Sequence, residues 1–215
     1  MKIFLSALLC LLPLASGFSE CNAQTDPQAV KILDNFSRTA TSAPSVAINF
    51  RLINIDQQSQ KSDTSKGNLL MARDQYRLEL PDNITWFNGT TSWSYLIREK
   101  EVTITRPGKK DDSFTTRPSS IFTLYKKGYK SRLIEDNGKT YVIDLYPEDI
   151  KSDLVRIRLA ISKTDSALAG AEYRRKDGTS IVLVIDYYSI KQKPVAADFI
   201  FDQVKYKGAE INDMR

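Results

Sequence analysis

Over most of the chain, apolar residues alternate with polar ones, and this period of two constrains the fold more than any other feature. The alternation is clearest in VAINFRL at 46–52, VRIRLAI at 155–161 and IVLVIDY at 181–187. Successive side chains of a β-strand point to opposite faces, so this period indicates strands with one apolar face. Turn sequences such as Asp136-Asn137-Gly138 separate the segments. Many short strands divided by turns predict a large antiparallel sheet that is curled or closed.

The stretch 86–104, WFNGTTSWSYLIREKEVTI, carries the clearest hairpin signal. Asn88-Gly89-Thr90 separates two runs rich in aromatic and β-branched residues, and Asn-Gly in that position favours a tight turn. In the second run Trp93 and Tyr95 share one face of a strand. So much aromatic surface requires a cover, which is a core, a partner or a ligand. We expect that cover to come from two helices predicted elsewhere in the chain.

Two segments have helical rather than strand spacing. Asp26 before Pro27 has the pattern of an N-cap with a first-turn proline, and the apolar residues that follow predict a helix over 27–39. The segment PSSIFTLYKKG begins at Pro118 and ends at a glycine suited to a C-terminal stop, which predicts a second helix over 118–127. A helix inserted between strands must lie across a face of the sheet. The predicted fold class is therefore mainly β (α+β), a curved antiparallel sheet with helices on its concave side.

Residues 1–23 are predicted to be a cleaved secretory signal peptide. Lys2 precedes an apolar run, and small residues follow up to Ala23. The run is too short to span a bilayer comfortably and has the layout of an export signal. Cleavage after Ala23 is favoured over lipidation at Cys21, because the residues before that cysteine fit a lipobox poorly. Residues 24–215 then form a single domain, as suits this length.

The chain has no histidine, and the mature segment would also lack cysteine, because Cys10 and Cys21 both lie in the predicted signal. The absence of both residue types removes the most frequent acid–base group, the usual zinc ligands and the Ser-His and Cys-His nucleophilic pairs.

Carboxylate-based catalysis remains possible, but the acid pairs Glu99/Glu101 and Glu148/Asp149 lie in polar, loop-like contexts that favour solvated side chains. We expect no enzyme activity, no metal site and no cofactor. The net charge of +5 suits solubility or an anionic surface. We expect no nucleic-acid binding, which favours basic clusters interleaved with aromatic residues.

Together these segments resemble the LolA family, the periplasmic carriers of outer-membrane lipoproteins, in a form similar to Bacteroidetes-like variants. The resemblance rests on the order and spacing of DPQAVKILDNFS, SVAINFRL, GNLLMARDQYRLEL, WFNGTTSWSY, RPSSIFTLY and ADFIFDQVKYKGAEINDMR. It implies an unclosed antiparallel half β-barrel of roughly eleven strands with a helical lid. The hydrophobic space under the lid would receive the acyl chains of a lipoprotein.

The resemblance also implies a function and partners. A carrier of this family shuttles lipoprotein cargo from an inner-membrane ABC-type extractor to an outer-membrane acceptor, whose identity the sequence leaves open. We expect it to be periplasmic and to act as a monomer. A regulatory protein that senses lipids or lipoproteins of the envelope with the same fold is a second hypothesis. A structural β-domain with a filled core is a third.

Candidate residues for the acyl-chain cavity are the aromatic and aliphatic residues expected on one sheet face and on the lid. They are Phe36, Phe50, Trp93, Tyr95, Ile121, Phe122, Tyr125, Phe199 and Phe201. Ordinary core packing is the alternative for each of them alone. The resemblance also places at Arg73 an arginine that bonds to the lid and holds the empty carrier closed. Since Arg73-Asp74 replaces the family's usual Arg-Pro, a solvated strand-end arginine is the alternative.

Overall fold

A computed structural model describes residues 25–107 and 117–215, so the predicted signal peptide lies outside the described residues. The described chain forms one sheet of twelve strands with one α-helix. This architecture confirms the predicted fold class, an unclosed, mainly antiparallel half barrel with a helical cover. Among the described helices, none has the length and apolar content needed to span a membrane.

The sheet has one more strand than the rough expectation of eleven. The strands are β1 Val46–Asp56, β2 Lys61–Ala72, β3 Gln75–Glu79, β4 Asn83–Phe87, β5 Ser92–Leu96, β6 Glu101–Thr105, β7 Tyr129–Asp136, β8 Thr140–Pro147, β9 Leu154–Ser162, β10 Leu168–Arg175, β11 Thr179–Ser189 and β12 Glu210–Asp213. Their order in the sheet is β12-β6-β5-β4-β3-β2-β1-β11-β10-β9-β8-β7. All neighbours are antiparallel except β12, which pairs with β6 in parallel. The two edge strands, β7 and β12, do not pair, so the sheet stays open.

Helix α1 spans Pro27–Ser42 and begins where the sequence predicts. The Asp26 carboxylate caps it by accepting hydrogen bonds from the amides of Gln28 and Ala29. The same carboxylate accepts a hydrogen bond of 3.0 Å from the amide of Leu133, which ties the start of α1 to edge strand β7. These bonds, the one from Leu133 foremost, hold the pKa of Asp26 below its ordinary value. The apolar face of α1 is buried as its spacing predicts, through Ala29, Leu33, Phe36 and Ala40.

The second helix, predicted over 118–127, is confirmed as a helical segment, but it is not one continuous helix. The segment contains two 3-10 helices, Pro118–Phe122 and Leu124–Lys126, and Thr123 between them has φ −131° and ψ −8°. So short a run gains few α-helical hydrogen bonds, and burial of its large side chains decides its path instead. Gly128 ends the segment with φ +77°, as its predicted role as a stop requires. We call residues 117–128 the lid.

The main core lies between the concave face of the sheet, α1 and the lid. Phe36 of α1 and Phe122 of the lid pack with ring centroids 5.4 Å apart. The ring of Phe50 in β1 lies directly over Gly67 in β2, where an added Cβ would sit 2.4 Å from it. Only glycine lets this phenylalanine lie flat on the neighbouring strand.

The hairpin predicted within 86–104 is confirmed, but the cover predicted for it is wrong. Trp86 of β4 pairs with Trp93 of β5. Phe87 packs against the main core, so the adjacent Trp86 points to the opposite, convex face. There Trp86 packs against Phe201 and Tyr206, with ring centroids 5.5 Å and 5.4 Å away. These rings belong to residues 195–209, which we call the C-terminal cover, and the two predicted helices lie on the other side of the sheet.

The other half of the convex face, on β8 to β10, is filled by ion pairs. Asp144 is 1% exposed and lies 2.6 Å from the Arg158 guanidinium. Arg156 lies 3.6 Å from Asp144 and 3.0 Å from Glu172. Burial opposes ionisation of Asp144, but the two arginines outweigh it and hold its pKa below the ordinary value. Paired charges therefore occupy the face here, where aromatic rings occupy it on β4 and β5.

Candidate ligand-binding cavity

A cavity of about 850 Å³ lies between the concave face of the sheet and the lid. Its floor comes from β1, β9, β10 and β11, and its roof from the lid and the start of β7. Pockets for small molecules typically measure about 300–1,000 Å³. The lining residues are Leu52, Asn54, Arg117, Ser119, Ser120, Thr123, Leu124, Lys126, Lys127, Tyr129, Asp153, Leu154, Ile157, Tyr173, Arg175, Ile181 and Leu183.

The floor is apolar because it continues the period-two rows of the main core. Phe50 and Leu52 point to the same face of β1, two residues apart. Phe50 is buried, Leu52 is partly buried, and Asn54, the next residue of the row, is exposed. The adjacent row in β11 places Leu183 opposite Leu52 and Ile181 opposite Asn54. The cavity therefore begins where the filled packing against the sheet ends.

The lid turns mostly polar side chains, together with Leu124, to the cavity and directs its other large apolar side chains away from it. Ser119 and Thr123 line the cavity. Ile121 and Phe122 are buried in the main core instead. The hydroxyl of Tyr125 donates a hydrogen bond of 2.6 Å to Asp34 of α1, which fixes the lid to the helix. A chain in the cavity would therefore lie between an apolar floor and a polar roof.

Charged side chains surround the opening of the cavity. Lys126, Lys127, Arg175 and Asp153 all line the cavity and are exposed, and we call these four residues the rim. Within the part of the chain that the structure describes, no group of three or more histidine, cysteine, aspartate or glutamate side chains lies close enough to hold a metal ion. With its apolar floor, the cavity can bury an apolar chain beneath a charged and polar entrance.

Two tyrosines place hydroxyl groups in the cavity wall. Burial raises the pKa of Tyr173, and the nearby Tyr129 raises it further. Burial also raises the pKa of Tyr129, with a smaller contribution from the charge of Asp153. Both hydroxyls therefore stay protonated near neutral pH and can donate hydrogen bonds.

None of the nine residues predicted to line the acyl-chain cavity lines this one. Five are buried in the main core, namely Phe36, Phe50, Ile121, Phe122 and Tyr125. Trp93, Tyr95 and Phe201 belong to the aromatic cluster of the convex face. Phe199 is buried in the 3-10 helix Ala196–Phe199 of the C-terminal cover, which contacts β3 and β4. The largest side chains pack between elements of the fold. The cavity lies where the aliphatic rows of the sheet are not covered by such side chains.

Sequence reasoning missed the residues that do form the floor, although their face was predictable. Leu52, Ile157 and Leu183 lie in the alternating rows of the sequence, and period two places them correctly. The pattern does not indicate how far the covering segments extend along those rows. Where a covering segment ends, the row is no longer packed by protein and lines the cavity instead.

Arg73 lies in the turn between β2 and β3, is exposed, and has φ +54°. Among residues 25–107 and 117–215, no hydrogen bond or ion pair reaches its guanidinium. The lid contact that the resemblance implies for Arg73 is thus not formed in this structure. The Tyr125–Asp34 hydrogen bond and the Phe36–Phe122 ring contact connect the lid to α1 instead.

The sequence model of one family, described as "Outer membrane lipoprotein carrier protein LolA", matches residues 19–169. The match includes α1, the lid and strands β1 to β9, and it ends at the start of β10. The closing segment ADFIFDQVKYKGAEINDMR lies beyond it. No curated protein shows a significant sequence match to this chain.

Solved structures of other proteins resemble the fold, among them three from bacteria. A conserved uncharacterized protein from Thermus thermophilus is 12% identical, with a TM-score of 0.59 over 86% of this chain and 99% of its own. The LolA superfamily protein NE2245 from Nitrosomonas europaea is 12% identical, with a TM-score of 0.42 over 80% and 97%. A putative outer membrane lipoprotein-sorting protein domain from Vibrio parahaemolyticus is 12% identical, with a TM-score of 0.43 over 80% and 96%. The first similarity shows a shared fold.

Proposed function

Because this chain belongs to the LolA family of outer membrane lipoprotein carrier proteins, we propose that it is a periplasmic carrier that holds lipoprotein acyl chains in the cavity under the lid. On this proposal the chain is exported and loses residues 1–23. Cargo then passes from an inner-membrane ABC-type extractor to an acceptor at the outer membrane. The observation that supports the proposal most is the continuation of the apolar rows beyond the filled core into a cavity of about 850 Å³.

Acyl chains need a carrier because they are too apolar to cross water alone. Two chains of about 15 methylenes each correspond to roughly 24 kcal/mol of transfer free energy, at about 0.8 kcal/mol per methylene. That exceeds the practical ceiling of about 18–21 kcal/mol for non-covalent affinity. Delivery therefore depends on the difference in the free energy of the acyl chains between the carrier and the membrane. Most of the transfer free energy cancels in that difference. A cavity with a polar roof, which buries a chain incompletely, favours release.

The lid is the element that must move for a chain to enter. Its two 3-10 helices are closed by few backbone hydrogen bonds, such as that from the Thr123 amide to the Ser120 carbonyl at 2.9 Å. Few internal hydrogen bonds therefore resist local opening of the lid, and its buried side chains hold it in place. The contacts to α1 through Phe122 and Tyr125 then set how readily the lid leaves the sheet.

A neutral apolar dye, N-phenyl-1-naphthylamine, tests the cavity in the purified, delipidated protein. We expect its fluorescence to rise on binding to the wild type and to stay low with Leu52→Trp, whose indole would fill the floor. Leu96→Trp is the matched control, because Leu96 is 39% exposed at the end of β5 and lies outside the cavity. Absence of dye binding to the wild type, or full binding to a folded Leu52→Trp protein, would contradict the proposed site.

Carriage is tested on protein purified from its native envelope. We expect mass spectrometry to find acylated lipoproteins with the wild type and few or none with Leu52→Trp, and Leu96→Trp to behave as the wild type. Recovery of the extractor complex would add support. Recovery of an anti-sigma partner without acylated cargo would instead favour the sensing hypothesis.

A further inference from the structure

The rim of the cavity carries three cations and one carboxylate, which leaves it with a net positive charge. Arg175 also interacts electrostatically with Asp177, and Lys126 lies 5.9 Å from the centroid of the Tyr125 ring. Lys126, Lys127 and Arg175 face a single rim carboxylate, Asp153. Within the described ranges 25–107 and 117–215, no carboxylate lies within 4.0 Å of any of the three cations. Some basic groups elsewhere on the sheet are paired, as Arg158 is with Asp144. The rim therefore attracts a negative group to the opening of an apolar space.

The cavity wall adds two donors that lack acceptors. No hydrogen bond from the hydroxyl of Tyr129 or of Tyr173 reaches any residue in the described part of the chain. The hydroxyl of Tyr125, by contrast, is satisfied by Asp34. Neither hydroxyl is among the buried side-chain atoms that lack a partner, so both are accessible to solvent and a ligand can replace water as the acceptor. An oxygen acceptor at the polar end of a ligand would satisfy them.

An apolar floor, free donors in the wall and unpaired cations at the rim together describe a ligand with a hydrocarbon tail and a negative head. We propose that the cavity binds single-chain amphiphiles whose polar end is an anion, a carboxylate or a phosphate, held by Lys126, Lys127 and Arg175. This inference rests on the proposed function, since it takes the same cavity to be the acyl site. It adds a selectivity that burial of the chain cannot supply, because a thioether-linked diacylglycerol anchor carries no negative charge.

The selectivity follows from how the two parts of the ligand are recognised. Burial of a hydrocarbon tail contributes the same free energy whatever the head group. Ion pairs at an exposed rim contribute little singly, but three cations around one anion act together, and salt screens them. An anionic amphiphile should therefore compete with cargo for the cavity, and most effectively at low ionic strength.

The test is displacement of bound N-phenyl-1-naphthylamine from the purified protein by four twelve-carbon probes. These are dodecanoate, dodecyl phosphate, dodecanol and dodecyltrimethylammonium, each below its micelle concentration. We expect the two anions to displace the dye at about tenfold lower concentration than dodecanol, as a few partly exposed ion pairs provide. The cationic probe should be the weakest. Whether carboxylate or phosphate is preferred identifies the source of the head group.

The variant Lys126→Gln/Lys127→Gln is expected to reduce the preference for anions over dodecanol to about threefold or less, because one rim cation remains. Lys205→Gln/Lys207→Gln is the matched control, since it removes two exposed lysines of the C-terminal cover and should leave the preference unchanged. Tyr173→Phe should weaken displacement by dodecanoate more than displacement by dodecyltrimethylammonium. Raising the ionic strength should shrink the preference in the wild type.

Equal displacement by dodecanoate, dodecyl phosphate and dodecanol would overturn the inference and leave the apolar site in place. If the lysine variant instead lost binding to phosphatidylglycerol vesicles with no change in the probe series, the rim would be a membrane contact and the inference would be wrong. Failure of the dye itself to bind would count against the proposed function. The two claims therefore fail in different ways.

Discussion

Two regions of the same sheet are covered in different ways. On the convex face, the C-terminal cover brings its own rings, and Phe201 and Tyr206 stack with centroids 5.4 Å apart against Trp86. On the concave face beyond the main core, the lid brings Ser119 and Thr123, and about 850 Å³ stays open beneath it. A dense aromatic face thus marks a place where protein covers protein. The aliphatic rows without such a cover mark the place where the cavity stays open.

The difference arises from where each covering segment directs its large side chains. The C-terminal cover directs its rings at the sheet. The lid directs Ile121, Phe122 and Tyr125 into the main core beside α1, so mostly polar groups, with Leu124, remain over the cavity. Lifting the lid would withdraw Ile121, Phe122 and Tyr125 from the core, so their contacts set the free energy of opening. On the proposed carrier function, the lid opens and closes against these contacts.

Among the variants that test this comparison, Phe201→Ala should have the largest effect on stability. Removing a buried phenylalanine typically costs about 3–5 kcal/mol, and Phe201 is 6% exposed, so we expect the free energy of unfolding to fall by about 3 kcal/mol in urea titrations. Dye affinity should stay within about twofold, since the cluster does not line the cavity. Ile211→Ala, at a residue 47% exposed, should cost less than about 0.5 kcal/mol. Loss of dye binding in folded Phe201→Ala would show that the two regions are coupled.

Asp144→Asn tests the charged half of the convex face. Removing one partner of a fully buried pair costs about 3–5 kcal/mol, and because solvent reaches Arg158 we expect about 2 kcal/mol near neutral pH. The folded-state pKa of Asp144 is lowered, so its stabilisation is present above the ordinary value of 3.8 and is lost as the pH falls below it. Urea unfolding should therefore show the gap between wild type and variant narrowing in acid. A gap independent of pH would contradict the ion-pair account.

Tyr125→Phe tests how strongly the lid is held to α1. Losing the hydrogen bond to Asp34 should lower the free energy of unfolding by about 1 kcal/mol. Burial, helped by that bond, raises the pKa of Tyr125 from 10.0 to about 12, so its contribution is present below pH 10 and is lost as the pH rises towards 12. The difference in the free energy of unfolding between wild type and variant should therefore narrow between pH 10 and pH 12 in urea titrations.

Tyr187→Phe, at a residue 47% exposed, is the control for Tyr125→Phe and should change neither stability nor dye kinetics. Stopped-flow mixing should show faster dye entry in Tyr125→Phe, because the lid has lost one of its contacts to α1. Unchanged entry would mean that another contact limits opening.

Arg73→Leu should have the smallest effect. The side chain is exposed and makes no hydrogen bond or ion pair within the described residues, so stability should change by less than about 0.5 kcal/mol. Lys100→Leu is a matched control, because Lys100 is exposed in a turn and has φ +53°. Faster hydrogen exchange of the lid in Arg73→Leu alone would restore the latch role that the resemblance implies.

The sequence by itself determined the local parts of this protein. The cap at Asp26 begins α1, the turn at Gly89 joins β4 to β5, and period two places Phe50 and Leu52 on one face. Each of these depends on neighbours a few residues away, through capping, turn geometry and strand pleating. A local signal can therefore predict them.

The tertiary structure alone decided which segment covers which face. Nothing local to Trp86 and Trp93 indicates that their cover is the C-terminal cover rather than α1, because that choice depends on the path of a distant segment. The same holds for the 3-10 form of the lid, which the burial of Phe122 and Tyr125 beside α1 determines. The cavity depends on both decisions. Its floor was determined in the sequence, but whether that floor stays open depends on where the covering segments end, which is a non-local property of the packed chain.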